Sequence, residues 1–252
     1  MELMEAIKGR HTFRGAFLDK RISQETLLEV LEAARWAPSG HNCQPWEFLV
    51  VDNRKEVEKL MEIAGRINFE FLKTRKKNFK AYVKIWFGWL RWSDKDLENH
   101  GDGLFIRGFD RDSWEKMTRI ESEDEMKARF MEIIAGLMRT PWAAIPPALV
   151  FTLLDTTVQI PDTSQGLMHM TSIGAAIQNL RIAAHGKGLE TQEYSLLYDL
   201  PQVRTKMIEL LGIPSRLKIV SAMKIGYPGD PVDSPKSHVR KPVKELVHWN
   251  RF

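Results

Sequence analysis

Ala37-Pro38-Ser39-Gly40-His41-Asn42-Cys43-Gln44-Pro45-Trp46 is a polar loop between an amphipathic segment and the apolar run Glu47-Phe48-Leu49-Val50-Val51. The run reads as a buried strand. Upstream, Ser23 is placed to cap a helix whose apolar residues Leu27, Val30, Leu31 and Ala34 recur at helical spacing. Glu25 falls in its first turn, where a carboxylate suits the helix dipole, and the helix is expected to stop before Pro38. Helix, polar loop and strand therefore follow one another within about thirty residues. The loop's amide and hydroxyl groups suit the edge of a heterocycle, and its prolines lower the entropy lost on ordering. The plainer reading is a connection whose polar groups cap the helix end.

Further upstream, Arg10-His11-Thr12-Phe13-Arg14 sets two guanidinium groups around a hydroxyl, directly after a short helical pattern. Such a cluster suits a phosphate or another anion, since each Arg offers a planar fork of donors. A solvated basic loop is the alternative.

Downstream, Val57, Leu60, Met61 and Ala64 mark another short helix, and a middle zone from about 66 to 140 is rich in charge and aromatics. Regular patterning then resumes. A strand is expected at Ala148–Leu154, a long helix at about Gly166–His185, a helix near Val203–Leu211 and a strand at Leu217–Ile225. Gly186 and Gly188 provide the stop for the long helix. The closing segment ends Val-His-Trp-Asn-Arg-Phe, too aromatic for a disordered tail, and is expected to pack on something.

At 252 residues with 43% apolar side chains, one sizeable core is affordable, so residues 1–252 read as a single domain. Lys and Arg number 37 against 33 Asp and Glu, a net charge of +4 spread over mixed surface. Cys43 is the single cysteine, which excludes an intrachain disulfide and fits a reducing, cytoplasmic setting. It reads as a small buried residue. His41, His169 and His185 have no second ligand at metal spacing, so no metal is expected. Met1–Lys8 mixes charges into what would be an apolar core, so neither a signal peptide nor an anchor is expected. The longest apolar stretch, residues 143–154, holds Pro146 and Pro147 and is far shorter than the roughly 20 residues of a membrane span.

Three separated motifs together resemble the FMN-dependent nitroreductase family. The first is Arg10-x-Thr12-x-Arg14 with Pro38-Ser39-Gly40-x-Asn42-x-Gln44-Pro45-Trp46 and the strand after it. The second is Gly174-Ala175-Ala176-Ile177-Gln178-Asn179-Leu180 through Gly188-Leu189, which is similar to the family's central dimer helix and the turn after it. The third is Ile225-Gly226-Tyr227-Pro228 followed by Arg240-Lys241-Pro242. The resemblance implies an α+β nitroreductase-like fold, with a central, mainly antiparallel sheet flanked by helices. It also implies a homodimer in which the C-terminal segment packs on the partner subunit.

The resemblance further implies FMN as cofactor, with reducing equivalents passing from NADH, NADPH or another donor through flavin N5 to an electron-poor organic substrate such as a nitroaromatic or quinone. A specialised reaction on the same fold, such as reductive dehalogenation, is the alternative. Arg10 and Arg240, with His238 or Lys241, match the phosphate-binding positions. Arg14 matches the cation that stabilises the negative charge the pyrimidine end gains on reduction. His11 and Thr12 lie on the same stretch, Thr12 near the ribityl chain or ring edge. Pro38, Ser39, Gly40 and Asn42 would approach the flavin from the other subunit, with Gln44 supporting their loop. Glu193-Tyr194-Ser195 matches the stretch along the flavin face, where many relatives carry small or apolar residues. These three are the candidates for a direct catalytic contact, Tyr194 and Ser195 also for flavin binding; a solvent-facing carboxylate is the other reading of Glu193.

The insert at about 66–140 contains Tyr82-Val83-Lys84-Ile85-Trp86-Phe87-Gly88-Trp89, an amphipathic pattern. It reads as a lid over the flavin, with Tyr82, Trp86 and Trp89 against the substrate, or as aromatics packing the insert onto the core. Basic residues among aromatics also suit single-stranded nucleic acid or a membrane surface. The acidic residues from Asp94 to Glu125 oppose this, and neither partner is expected. If the lid reading holds, Trp86→Ala and Trp89→Ala raise the substrate KM and leave the FMN Kd alone; an unchanged KM in steady-state kinetics defeats it.

Overall fold

The computed structural model describes residues 2–74, 119–137, 139, 144–159, 166–229 and 242–251. The chain divides into two compact units, residues 1–74 with 144–232 and residues 75–143 with 233–252. The first unit is built on β1 (Trp46–Val51), β2 (Ala148–Asp155), β3 (Glu190–Glu193) and β4 (Leu217–Gly226). Every pairing is antiparallel, and the strand order is β1-β2-β4-β3. This is the α+β architecture with an antiparallel sheet that the family resemblance implies.

Inner strand β2 is buried on both faces, because Ala148 and Val150 point one way and Leu149 and Phe151 the other, each at most 1% exposed. On the first face lie α2 (Gln24–Arg35) and α5 (Leu167–Gly186), whose Val30, Ala34, Ala176 and Leu180 join Val150 and Met223 in one apolar cluster. The small Ala34 and Ala176 let the helix backbones approach, and Asn179 Nδ2 donates to Ala33 O at 3.1 Å between them. Ser23 caps α2 as predicted, its hydroxyl accepting from Thr26 N at 3.1 Å. On the other face α3 (Arg54–Thr74) packs against β2 and α6 (Pro201–Leu211).

Two elements depart from expectation. Helix α3 is not short: it continues through Arg66 to Thr74, since Leu72 extends the stripe of Val57, Leu60, Met61 and Ala64. Asn68, which interrupts that stripe in sequence, is held by donating to Ala64 O at 2.8 Å and Leu196 O at 2.9 Å. Strand β3 follows α5 after a turn at Gly188, whose φ of 72° is the left-handed value that favours glycine. Gly186 lies within the helix.

The N-terminal stretch runs along this sheet. After α1 (Leu3–Gly9), Thr12 bridges Thr191 of edge strand β3 in parallel, and Phe17 bridges Pro228. In the second unit α4 (Glu123–Leu137) buries Met126, Phe130 and Ile134, spaced by four on one face. Its C-terminal residues form a short turn at Val243–Glu245 and expose Leu246 and Trp249.

Gly226 ends β4 with no room for a side chain. A methyl group there would meet Phe17 Cδ1 and Pro147 Cδ at 2.7 Å each. Gly226→Ala is expected to destabilise the protein by about 1–3 kcal/mol through overpacking, read as a lower urea midpoint with an unchanged slope.

Candidate functional site

Beyond the end of α1 the chain extends, so alternate side chains diverge. Phe13 turns into the core against Phe17, 4.9 Å between ring centroids, and its N–H donates to Thr191 O at 2.9 Å. Thr12 and Arg14 are half-buried beside β3. Arg14 Nη1 donates to Thr12 O at 3.5 Å, and burial lowers the guanidinium's pKa. A second guanidinium reaches the same threonine from α5: Arg181 Nη2 donates to Thr12 Oγ1 at 3.1 Å. Burial also lowers the pKa of Arg181, opposed by the charge of Glu193. Its Nε is buried with no acceptor among the described residues, as is Thr191 Oγ1.

His11 turns the other way, 4.0 Å from Glu190 Oε2, and Glu190 Oε1 lies 2.9 Å from His185 Nδ1. Arg10 is half-buried, its N–H closing α1 on Ala6 O at 3.0 Å.

Glu193 does not face solvent. It accepts from the Tyr198 hydroxyl at 2.6 Å and the Ser221 hydroxyl at 2.9 Å, a satisfied carboxylate that also lies near Arg181. Tyr194 turns its ring into the protein, only 2% exposed, with burial raising its phenol pKa. Its N–H is spent on Ala222 O at 2.8 Å. Ser195 is exposed at the head of a short turn.

The Pro38–Gln44 loop is self-supporting. His41, Asn42 and Gln44 all have positive φ, 52°, 54° and 46°, a backbone state that costs about 1–2 kcal/mol for a non-glycine residue. Gln44 N donates to Ser39 Oγ at 3.0 Å, and its side chain reaches Asn42 Oδ1 at 3.3 Å. Pro45 O accepts from Asp155 N at 2.9 Å, fixing the loop to the sheet. Pro38, Asn42 and Gln44 are exposed, Ser39 and Gly40 half-buried. Cys43 is half-buried too, not buried as expected, because the left-handed turns keep it near the surface.

Thr12, Arg14 and Glu193 thus gather at the β3 edge, with the loop elsewhere. It enters β1 at Trp46, level with Leu154 and Lys218, whereas Thr191 is level with Ile225. The loop and the Arg14 cluster occupy opposite edges and opposite ends of the sheet, roughly 19 Å apart across the strands and 20 Å along them. Tyr82, Trp86, Trp89, His238, Arg240 and Lys241 lie outside the described residues.

Two residues were missed from sequence. Apart from histidine, Arg181 is the one ionisable side chain in α5, and Lys224 is a lone charge in the apolar run Ala222–Ile225. A charge inside an apolar stretch was the available signal. Lys224 is wholly buried, donating to Ala144 O at 2.9 Å with its Nζ 4.0 Å from the Tyr194 ring centre. Burial pushes its pKa down to about 7.

A model of the Nitroreductase family matches residues 7–227, and the chain belongs to that family, a class of flavoprotein oxidoreductases. The Bacillus subtilis protein YdgI is 44% identical over 64 residues, but these are 25% of this chain and only 31% of YdgI. Other relatives match at length. 4-Nitrobenzoate reductase from a Nocardioides species is 26% identical over 235 residues, covering 90% of this chain and 81% of that enzyme. Iodotyrosine deiodinase from Thermotoga neapolitana is 25% identical over 250 residues, covering 99% and 98%. The crystal structure of oxidised iodotyrosine deiodinase with FMN and 3-iodo-L-tyrosine superposes with a TM-score of 0.62 at 22% identity, covering all of both chains.

Because the folded pKa of Lys224 is depressed, stability rises as pH climbs from about 7 towards the unfolded value of 10.5. In that window the unfolded chain keeps a proton that the folded one has released. Below pH 7 both states are protonated and the penalty for burying the charge is fully present. Lys224→Met is therefore expected to stabilise the protein more at pH 6 than at pH 9, by about 2–3 kcal/mol in urea unfolding.

Proposed function

We propose that this chain is an FMN-dependent oxidoreductase that works as a homodimer and passes reducing equivalents from NADH or NADPH to an electron-poor organic substrate. One observation carries the reading. Thr12 lies between two half-buried guanidiniums, Arg14 and Arg181, neither in an ion pair among the described residues. Cations withdrawn from water without matched carboxylates favour an anionic ligand. Arg181 Nε and Thr191 Oγ1, buried without partners among the described residues, add polar contacts that a flavin's ribityl chain and ring edge can use.

When bound, FMN supplies hydride transfer at N5, and the protein's part is to orient and polarise it. Arg14 would set a fixed positive charge at the pyrimidine end, and Arg10 would hold the phosphate, with His238, Arg240 and Lys241 of the tail converging there. The Pro38–Gln44 loop, strained and polar, would serve the flavin of the partner subunit. Its position diagonally across the sheet from Arg14 supports use in trans. So do the large apolar side chains left exposed on α1 and α5, among them Leu3, Met4, Leu167 and Met170. Trp249, 83% exposed, supports a tail that packs on the partner. Tyr82, Trp86 and Trp89 would form the lid. No described helix is long and apolar enough to cross a membrane, and the lone cysteine supports a cytoplasmic setting.

The full-length similarity to iodotyrosine deiodinase favours reductive dehalogenation as a second reading. A panel of a nitroaromatic, a quinone and a halogenated phenol, each with NADH, NADPH and dithionite, separates the two.

Purified protein reconstituted with FMN is expected to be yellow and dimeric by light scattering; a colourless monomer overturns the proposal. Arg14→Gln should then shift the flavin midpoint potential about 30–60 mV more negative, the loss of one charged hydrogen bond of about 1.5–3 kcal/mol in a two-electron couple.

A further inference from the structure

We infer that Arg181 is a positioning residue of the flavin site, holding the Thr12 hydroxyl as an outward donor and adding a second cation beside Arg14. The inference rests on the flavin reading above and concerns a residue that lies within the central-helix motif but is not among the candidate site residues read from the sequence.

A guanidinium has only donors, so in the 3.1 Å contact between Arg181 Nη2 and Thr12 Oγ1 the threonine must accept. Its own proton is then directed away from Arg181. The Thr12 backbone is fixed, because it bridges Thr191 and the next residue's N–H is bound to Thr191 O at 2.9 Å. Arg14 Nη1 engages the same residue's carbonyl at 3.5 Å. One threonine is therefore gripped at both its oxygens by cations arriving from opposite directions in sequence, the N-terminal stretch and α5. A free hydroxyl rotates to suit any neighbour; this one is committed before a ligand arrives, and such preorganisation spares the ligand an ordering cost.

The charge balance points the same way. Glu193 is the nearby carboxylate acting on Arg181, yet its oxygens are occupied by the Tyr198 and Ser221 hydroxyls. Spreading its charge over two donors leaves Arg181 incompletely balanced. Arg181 Nε, buried and without an acceptor among the described residues, is a further unspent donor. An arginine remains protonated under such burial, so the site keeps its positive character at every working pH. The ligand class this selects is one with an acceptor facing Thr12 and delocalised negative charge close by, which a reduced flavin offers.

The test compares wild type, Arg181→Met, Arg181→Lys, Thr12→Val and the Met/Val double variant. FMN Kd is measured by fluorescence titration of apoprotein, flavin midpoint potential on reconstituted protein, and melting temperature throughout. Arg181→Met should weaken FMN about ten- to a hundredfold and make the potential more negative. Arg181→Lys should recover most of the potential, because charge is kept, but less of the affinity, because the fork is lost. Adding Thr12→Val to Arg181→Met should cost less than the separate effects combined, since both remove one hydrogen bond. Wild-type affinity and potential in Arg181→Met overturn the inference. If that variant does not fold, Arg181→Lys with unchanged FMN affinity overturns it. Wild-type protein that takes up no FMN is a different result, overturning the flavin reading itself.

Discussion

The hydrogen bond from Phe13 N to Thr191 O joins residues far apart in the chain and sets the geometry of everything around it. With the Thr12–Thr191 bridge it converts the N-terminal stretch into a fifth line of chain along the edge of a four-stranded sheet. Period two then does the rest. Phe13 goes inward to Phe17, while Thr12 and Arg14 face the region that Arg181 enters from α5. Without that edge pairing two basic side chains would be solvated; with it they become half-buried cations fixed on a rigid element. An otherwise exposed strand edge is covered at the same time.

Much of this scaffold was legible. The helix from Ser23, the strand at β1, the apolar run of β2, the long α5 and the strand β4 all carry periodicities strong enough to read locally. What escaped has a common cause. Strand β3 is Glu190-Thr191-Gln192-Glu193, four polar residues, of which three are buried. Neither apolar alternation nor an apolar run marks it, because its two end residues pair with polar partners: Glu190 with His185, Glu193 with Tyr198 and Ser221. Hydropathy identifies segments that bury grease; β3 buries a polar network, and such networks are defined by partners distant in sequence. The extension of α3 was hidden likewise, since Asn68 is polar but spends its amide on Ala64 and Leu196.

The candidate site divides along the same line. Arg10, Thr12, Arg14 and the Ser39–Gln44 loop stand out as candidates because their spacing is local. Arg181 does not, since its meaning depends on α5 bringing it to Thr12, 169 residues away. Tyr194 illustrates the converse: the family resemblance placed it along the flavin face, and the strand's alternation sends its ring to Lys224 on the other side of the sheet from Thr12 and Arg14.

Lys224 and Arg181 therefore represent two treatments of a buried cation. Both lie in apolar stretches of sequence, one on each face of the sheet. Lys224 is wholly enclosed, with a carbonyl and an aromatic face as partners, and the cheapest response is to release its proton. Arg181 cannot respond so, because guanidinium stays charged, and the surroundings must answer instead with Glu193 nearby and the Thr12 hydroxyl as an acceptor. A protein selecting only for stability would place leucine or methionine at both positions. Keeping a permanent charge beside a committed hydroxyl, on an edge built from residues of three separate segments, is a stability cost that makes sense where an anionic ligand supplies the missing half of the interaction.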